Sequence, residues 1–129
     1  MKELLLVINV TCREAQQVKG KNTRVVMIPF EAEAIGPAFR GRSVGTGVDT
    51  QTITSDGAFT LSARYMLEGT DAHGNPCRLF IENNGSWEKG FRPLLVSDSP
   101  ELCRLEDEAL SAEVEGREGG VKITIYKGE

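Results

Sequence analysis

The chain has 129 residues, 40% hydrophobic and 26% charged, which suits one core and excludes both a disordered chain and a long membrane-spanning helix. Fifteen basic and nineteen acidic residues leave a net charge of −4, with aromatics at 6%. That balance lacks the positive footprint and stacking rings of a nucleic-acid partner.

The opening "MKELLLVINV" is too short to span a bilayer as a helix and lacks a basic leader with a cleavage site. Its alternation puts Leu4, Leu6, Ile8 and Val10 on one face of a first strand. "TRVVMIPFEAEA" reads as a second, with Pro29 marking an edge or bulge. Gly36-Pro37 leads into "AFRGRSV", and Gly45-Thr46-Gly47 into "VDTQTIT". Asp56-Gly57 then signals a hairpin into "AFTLSARYML". "CRLFIEN" and "FRPLLV" are further strands. Ser99 and Pro100 can start one short helix near residues 100–108, with Leu102, Leu105 and Ala109 on its apolar side. "ALSAEVE" and "VKITIYK" close the chain as a hairpin.

These elements predict an all-β fold of a single domain over residues 1–129. The expected architecture is a closed or nearly closed antiparallel barrel of about eight to ten strands, its first and last strands paired. Gly36, Gly45, Gly47 and Gly57 are read as turn residues, and Gly41 as a mid-strand bend. A phosphate-binding loop is a poor reading of "GTG", because a strand follows it in place of a helix.

A two-residue loop at Asp56-Gly57 would pair residues whose numbers sum to 113, setting Asp49 opposite Arg64 on a polar face. Tyr65 then falls on the apolar face. In the next strand Glu82 and Asn84 share a side, and if that side joins the polar face, Arg64 sits between two carboxylates. Such a group is either a surface lattice or the floor of a polar cavity, where the arginine could hold a ligand oxygen. Asp49, Arg64, Glu82, Asn84 and Tyr65 are accordingly the candidate ligand-binding residues. His73 lies in a polar loop. Trp87 reads as a rim aromatic, a hairpin staple or an oligomer contact. No catalytic residue, cofactor motif or metal cluster is legible, and Cys12, Cys77 and Cys103 read as free thiols suited to the cytoplasm.

The ordered series Gly36-Pro37, Gly41, Gly45 with Gly47, Asp49, Asp56-Gly57 and Ala63-Arg64-Tyr65 resembles the family called domain of unknown function 3237. The "ENNG" at Glu82 to Gly85 resembles that family's strand end, and the likeness covers residues 1 to about 85. It implies a small β-barrel and leaves the activity open. Thr50 stands at a commonly aromatic position, "DAHGNP" is extended, and the region after Trp87 is shorter, which implies an altered or partly closed cavity. The function expected is binding of a small amphipathic or carbonyl-containing molecule. The alternatives are a cofactor-independent isomerase or lyase, with Glu82 or Asp49 as base and Arg64 as oxyanion stabiliser, and an oligomerising barrel without a ligand. Apolar residues on both strand faces, such as Leu79 beside Phe80 and Leu94 beside Leu95, predict a homo-oligomer, with a dimer favoured.

Overall fold

A computed structural model describes residues 2–128. Ten strands follow in chain order: β1 (Glu3–Cys12), β2 (Gln16–Lys19), β3 (Thr23–Pro37), β4 (Phe39–Ser43), β5 (Gly47–Thr54), β6 (Phe59–Asp71), β7 (Pro76–Ser86), β8 (Gly90–Ser97), β9 (Leu110–Arg117) and β10 (Gly120–Lys127). Every pairing is antiparallel, and the order β1-β10-β9-β8-β7-β6-β4-β3 closes through a further β1–β3 pairing. β2 continues the line of β1 along β3, and β5 continues that of β4 between β3 and β6. The ten strands thus occupy eight places around a closed barrel.

Closure makes one face of each strand except β2 interior. Ile8, Val10, Phe30, Tyr65, Leu67, Leu79, Ile81, Leu95 and Ile125 all lie in the buried core. The strict alternation expected in β1 breaks once: a register shift between Leu4 and Leu6 turns both Leu5 and Leu6 inward and leaves Leu4 exposed. Pro29 sits where β3's neighbour is interrupted between β1 and β2, and its carbonyl accepts from the Arg13 amide. A residue without an N–H loses nothing at such a gap.

Three elements differ from expectation. Strand β2 is an exposed addition, and β6 runs to Asp71, so "DAHGN" is a tight turn and not a long connection. The helix expected over 100–108 contracts to a 3₁₀ turn, Cys103–Asp107. Leu102 and Leu105, three apart, are both buried, while Ala109 is exposed, so only the three-residue spacing is rewarded by the core. Ser99 still opens this segment: its hydroxyl accepts from the amides of Glu101 and Leu102 and donates to Asp71 at 2.7 Å. Asp71 also accepts from the amides of His73 and Asn75, and the Ser99 hydrogen bond foremost holds its carboxyl below the usual carboxylate range. One polar knot therefore ties the β6–β7 turn to the segment that plugs this end of the barrel. The thinnest seam of the barrel is that between β8 and β9, which share a single residue pair, Phe91 with Ala112.

Gly45 and Gly57 take the positive φ expected of turn residues. Gly41 and Gly69 face each other where β4 crosses β6, and a Cβ on Gly69 would lie 1.9 Å from the Arg40 carbonyl oxygen. Because that neighbour is backbone, relief requires moving a strand. Gly69→Ala is expected to cost about 1–3 kcal/mol, read as a lowered urea midpoint with an unchanged slope.

Candidate functional site

The β5–β6 hairpin settles the position of Asp49. Ile53 pairs with Phe59 and Asp49 with Ala63, so paired numbers sum to 112 and not to 113. The loop has three residues, Ser55-Asp56-Gly57, closed by the Thr54 amide donating to the Ala58 carbonyl. Asp56 accepts from the Thr54 hydroxyl and the Ala58 amide, and Gly57 supplies the positive φ that such a loop needs. A shift of one residue exchanges the faces of a strand relative to its partner. Asp49 and Arg64 therefore lie on opposite faces, and the expected cross-strand pair does not form.

Arg64 is on the outside, opposite Val48, and its guanidinium binds Glu82 at 2.7 Å. Asn84 is also outside: its amide donates to Glu82, and its carbonyl accepts from the Ser62 hydroxyl at 2.5 Å. Arg64, Glu82 and Asn84 thus come together as a surface lattice. Tyr65 is buried, edge-on to Phe30 with ring centroids 5.0 Å apart, and a Cβ on Gly47 would run into the Phe30 ring and the Tyr65 Cβ. Gly47 is therefore a close-approach residue within β5, without positive φ.

Asp49, like Tyr65, turns into the barrel, and of the five candidates it is the one that lines an opening there. It enters a recess of about 120 Å³ at the end opposite the 3₁₀ plug. Ile28, Phe30, Leu61, Val114, Val121 and Ile123 make its wall apolar, with Trp87 and Phe91 among its lining side chains. Trp87 stands edge-on to Phe91 at 5.3 Å and is 56% exposed, so it is both a staple of the β7–β8 turn and a rim residue.

The polar groups in this recess are few and only partly matched. Gln51 donates its side-chain amide to Asp49 Oδ2 at 3.0 Å, whereas the buried Asp49 Oδ1 has no hydrogen-bond partner among the described residues. Asn83, projecting inward from β7, is buried, and its Oδ1 is also unmatched. Burial pushes the Asp49 carboxyl above its usual range, with the Gln51 hydrogen bond only partly offsetting this. Cys12 lines the same recess. Burial first, and then the Asp49 carboxylate, push its thiol up, so it is poorly suited to act as a thiolate nucleophile. Gln51, Asn83 and Cys12 are not among the candidates named from the sequence, although Gln51, two residues from Asp49, shares its face in either register. The alternation of "CRLFIENN", with Cys77, Leu79 and Ile81 sharing the side of Asn83, was the available signal.

A larger opening, about 440 Å³, lies on the outer wall between Asn9, Glu31, Glu33 and Arg42. Its carboxylates are already matched, Glu31 by Arg13 and Glu33 by Arg42, on a side open to water. The smaller recess is the better candidate because it desolvates its polar groups. His73 is exposed and meets Glu101 at 3.1 Å, far from the recess in the turn at the plugged end. Among the described residues no group of three or more His, Cys, Asp or Glu side chains could hold a metal ion.

Two expectations follow from this geometry. Arg64→Ala should change stability by less than about 1 kcal/mol in urea unfolding, because the Arg64 side chain is 67% exposed. Asp49 ionises less readily folded than unfolded, so its contribution to stability is fullest at low pH and is lost as pH rises through its folded value. Asp49→Asn removes that loss. Its melting temperature should exceed the parent's near pH 8 and converge with it towards about pH 4.

No curated protein matches the chain. Solved structures do. A protein of unknown function from Clostridium acetobutylicum ATCC 824 superposes with a TM-score of 0.82 at 21% identity, covering 98% of this chain and 95% of that one. An enzyme from Penicillium herquei gives 0.80 at 15% identity, covering 100% and 94%. A conserved protein of unknown function from Rhodopseudomonas palustris gives 0.73 at 13%, covering 98% and 96%. These likenesses establish the barrel. The family model "Protein of unknown function (DUF3237)" matches residues 3–95, and the chain belongs to that family.

Proposed function

We propose that the protein binds a small, uncharged amphipathic molecule in the open end of its barrel, the apolar part among Phe30, Trp87 and Phe91 and a hydroxyl or carbonyl against Asp49 and Asn83. The observation that carries this reading is the pair of buried, unmatched oxygens, Asp49 Oδ1 and Asn83 Oδ1, in an otherwise apolar recess. A buried polar atom without a partner costs roughly 1–3 kcal/mol, which a ligand with matching groups restores. A protonated Asp49 would donate to a ligand oxygen, and Asn83 Oδ1 would accept from a ligand hydroxyl. An anion gains nothing here, because Arg64 is on the other face. The recess has about the capacity of a single ring: a cavity of roughly 150 Å³ takes benzene.

Proton transfer is the second reading. A carboxyl with a raised pKa in a desolvated site can serve as general acid or base, and one similar structure is described as an enzyme. In this form of the proposal Asp49 is the acid–base group. Glu82 and Arg64 drop out, being outside the recess. The three free cysteines are compatible with a reducing compartment, and among the described residues no helix is long and apolar enough to cross a membrane.

Phenol and p-cresol are suitable first probes, followed through Trp87, the chain's one tryptophan. Saturable fluorescence change is expected, weakened roughly tenfold in Asn83→Leu and unaffected in Arg64→Ala. Equal binding by the parent and Asn83→Leu, or no saturable signal from any neutral aromatic alcohol, would overturn the proposal.

A further inference from the structure

The outer wall formed by β4 to β8 carries a second pattern. Its middle row is apolar and partly exposed: Met66 pairs with Phe80, Phe80 with Val96, and Val44 hydrogen-bonds through its amide to Met66. Val44 is 44% exposed, and Met66 and Val96 are 37% each. On one side of this row runs Val48–Arg64–Glu82–Leu94. On the other runs Arg42–Glu68–Arg78, continued by Asp98, which accepts from the Arg78 amide.

Consider the line between β6 and β7, parallel to the strands. Across it Met66 answers Phe80, Val44 answers Val96, and Val48 answers Leu94. Each charge answers its opposite: Arg64 to Glu82, Glu68 to Arg78, Arg42 to Asp98. Apolar positions are thus symmetric about this line and charges antisymmetric. A second copy turned by a two-fold axis along it, wall against wall, would meet apolar with apolar along the middle row and positive with negative in the two flanking rows. Two-fold axes are the commonest symmetry of small assemblies, and aligned packing is a standard arrangement of sheets. Like charges, by contrast, would exclude an unrelated acidic or basic partner from half of the wall.

We infer that this β6–β7 wall is the interface of a symmetric homodimer, whose axis runs between the two strands. The Arg64–Glu82 and Glu68–Arg78 pairs, formed within one chain at 2.7 and 2.9 Å, become four-charge clusters in the pair of chains. Arg42, its side chain 80% exposed and paired within its own chain with Glu33 at 3.1 Å, gains Asp98 of the second copy as a further partner. The binding recess opens at the end of the barrel and is left clear.

Sedimentation of the full chain across about 1 to 100 μM tests this, with circular dichroism as a check on folding. Dimers are expected, and Met66→Lys should weaken them by roughly tenfold or more. Arg42→Asp should also weaken them, and Arg42→Asp with Asp98→Arg should restore them, since the axis sets these positions against each other. A monomer throughout, or an undiminished dimer of folded Met66→Lys, would overturn the inference. If Met66→Lys fails to fold, the Arg42 and Asp98 variants decide: absence of recovery in the double variant overturns the proposed axis.

Discussion

The pairing of β1 with β10 along one edge and with β3 along the other is the constraint on which the rest of the structure depends. Without it the chain is an open sheet, with water on both faces. With it one face is withdrawn from solvent, and period-two alternation becomes a division between lumen and exterior. The same contacts give Ile8 and Ile125 full burial and put Asp49 where ionisation is costly. Stability and candidate chemistry share this origin.

The two ends of the lumen are finished differently. At one, Leu102 and Leu105 fill the barrel, held by the Ser99–Asp71 hydrogen bond across 28 residues. Asp71 is buried and fully engaged, so its polarity organises structure. At the other end Asp49 and Asn83 each keep an unmatched oxygen, and Trp87 remains exposed at the rim. Two inward carboxylates thus have opposite shifts for physical reasons: one is surrounded by donors, the other by hydrocarbon.

The exterior has its own order. Charged side chains at alternate positions of β6 and β7 form pairs such as Arg64–Glu82 and Arg78–Glu68, which contribute little to stability individually because water screens them. Their arrangement has more consequence than their energy. Placed around Met66, Phe80 and Val96, they specify which surface can approach and in what orientation.

The sequence by itself determined the class of fold. Alternation, the turn glycines Gly45 and Gly57 and the apolar end strands pointed to a closed or nearly closed antiparallel barrel, because local spacing fixes which residues share a face. It also identified Asp49 as distinctive and Trp87 as a possible rim. The faces of β5 and β6 relative to one another were decided by the structure, since "SDG" can form a loop of two residues or of three, and one residue reverses the pairing. Arg64 and Glu82 accordingly left the site, while Gln51 and Asn83 entered it. Asn83 and Asn84 are chemically identical neighbours; only the direction of β7 against β6 and β8 makes one a buried acceptor and the other a surface link. Burial depends on what the rest of the chain places opposite a residue, and that is a tertiary property.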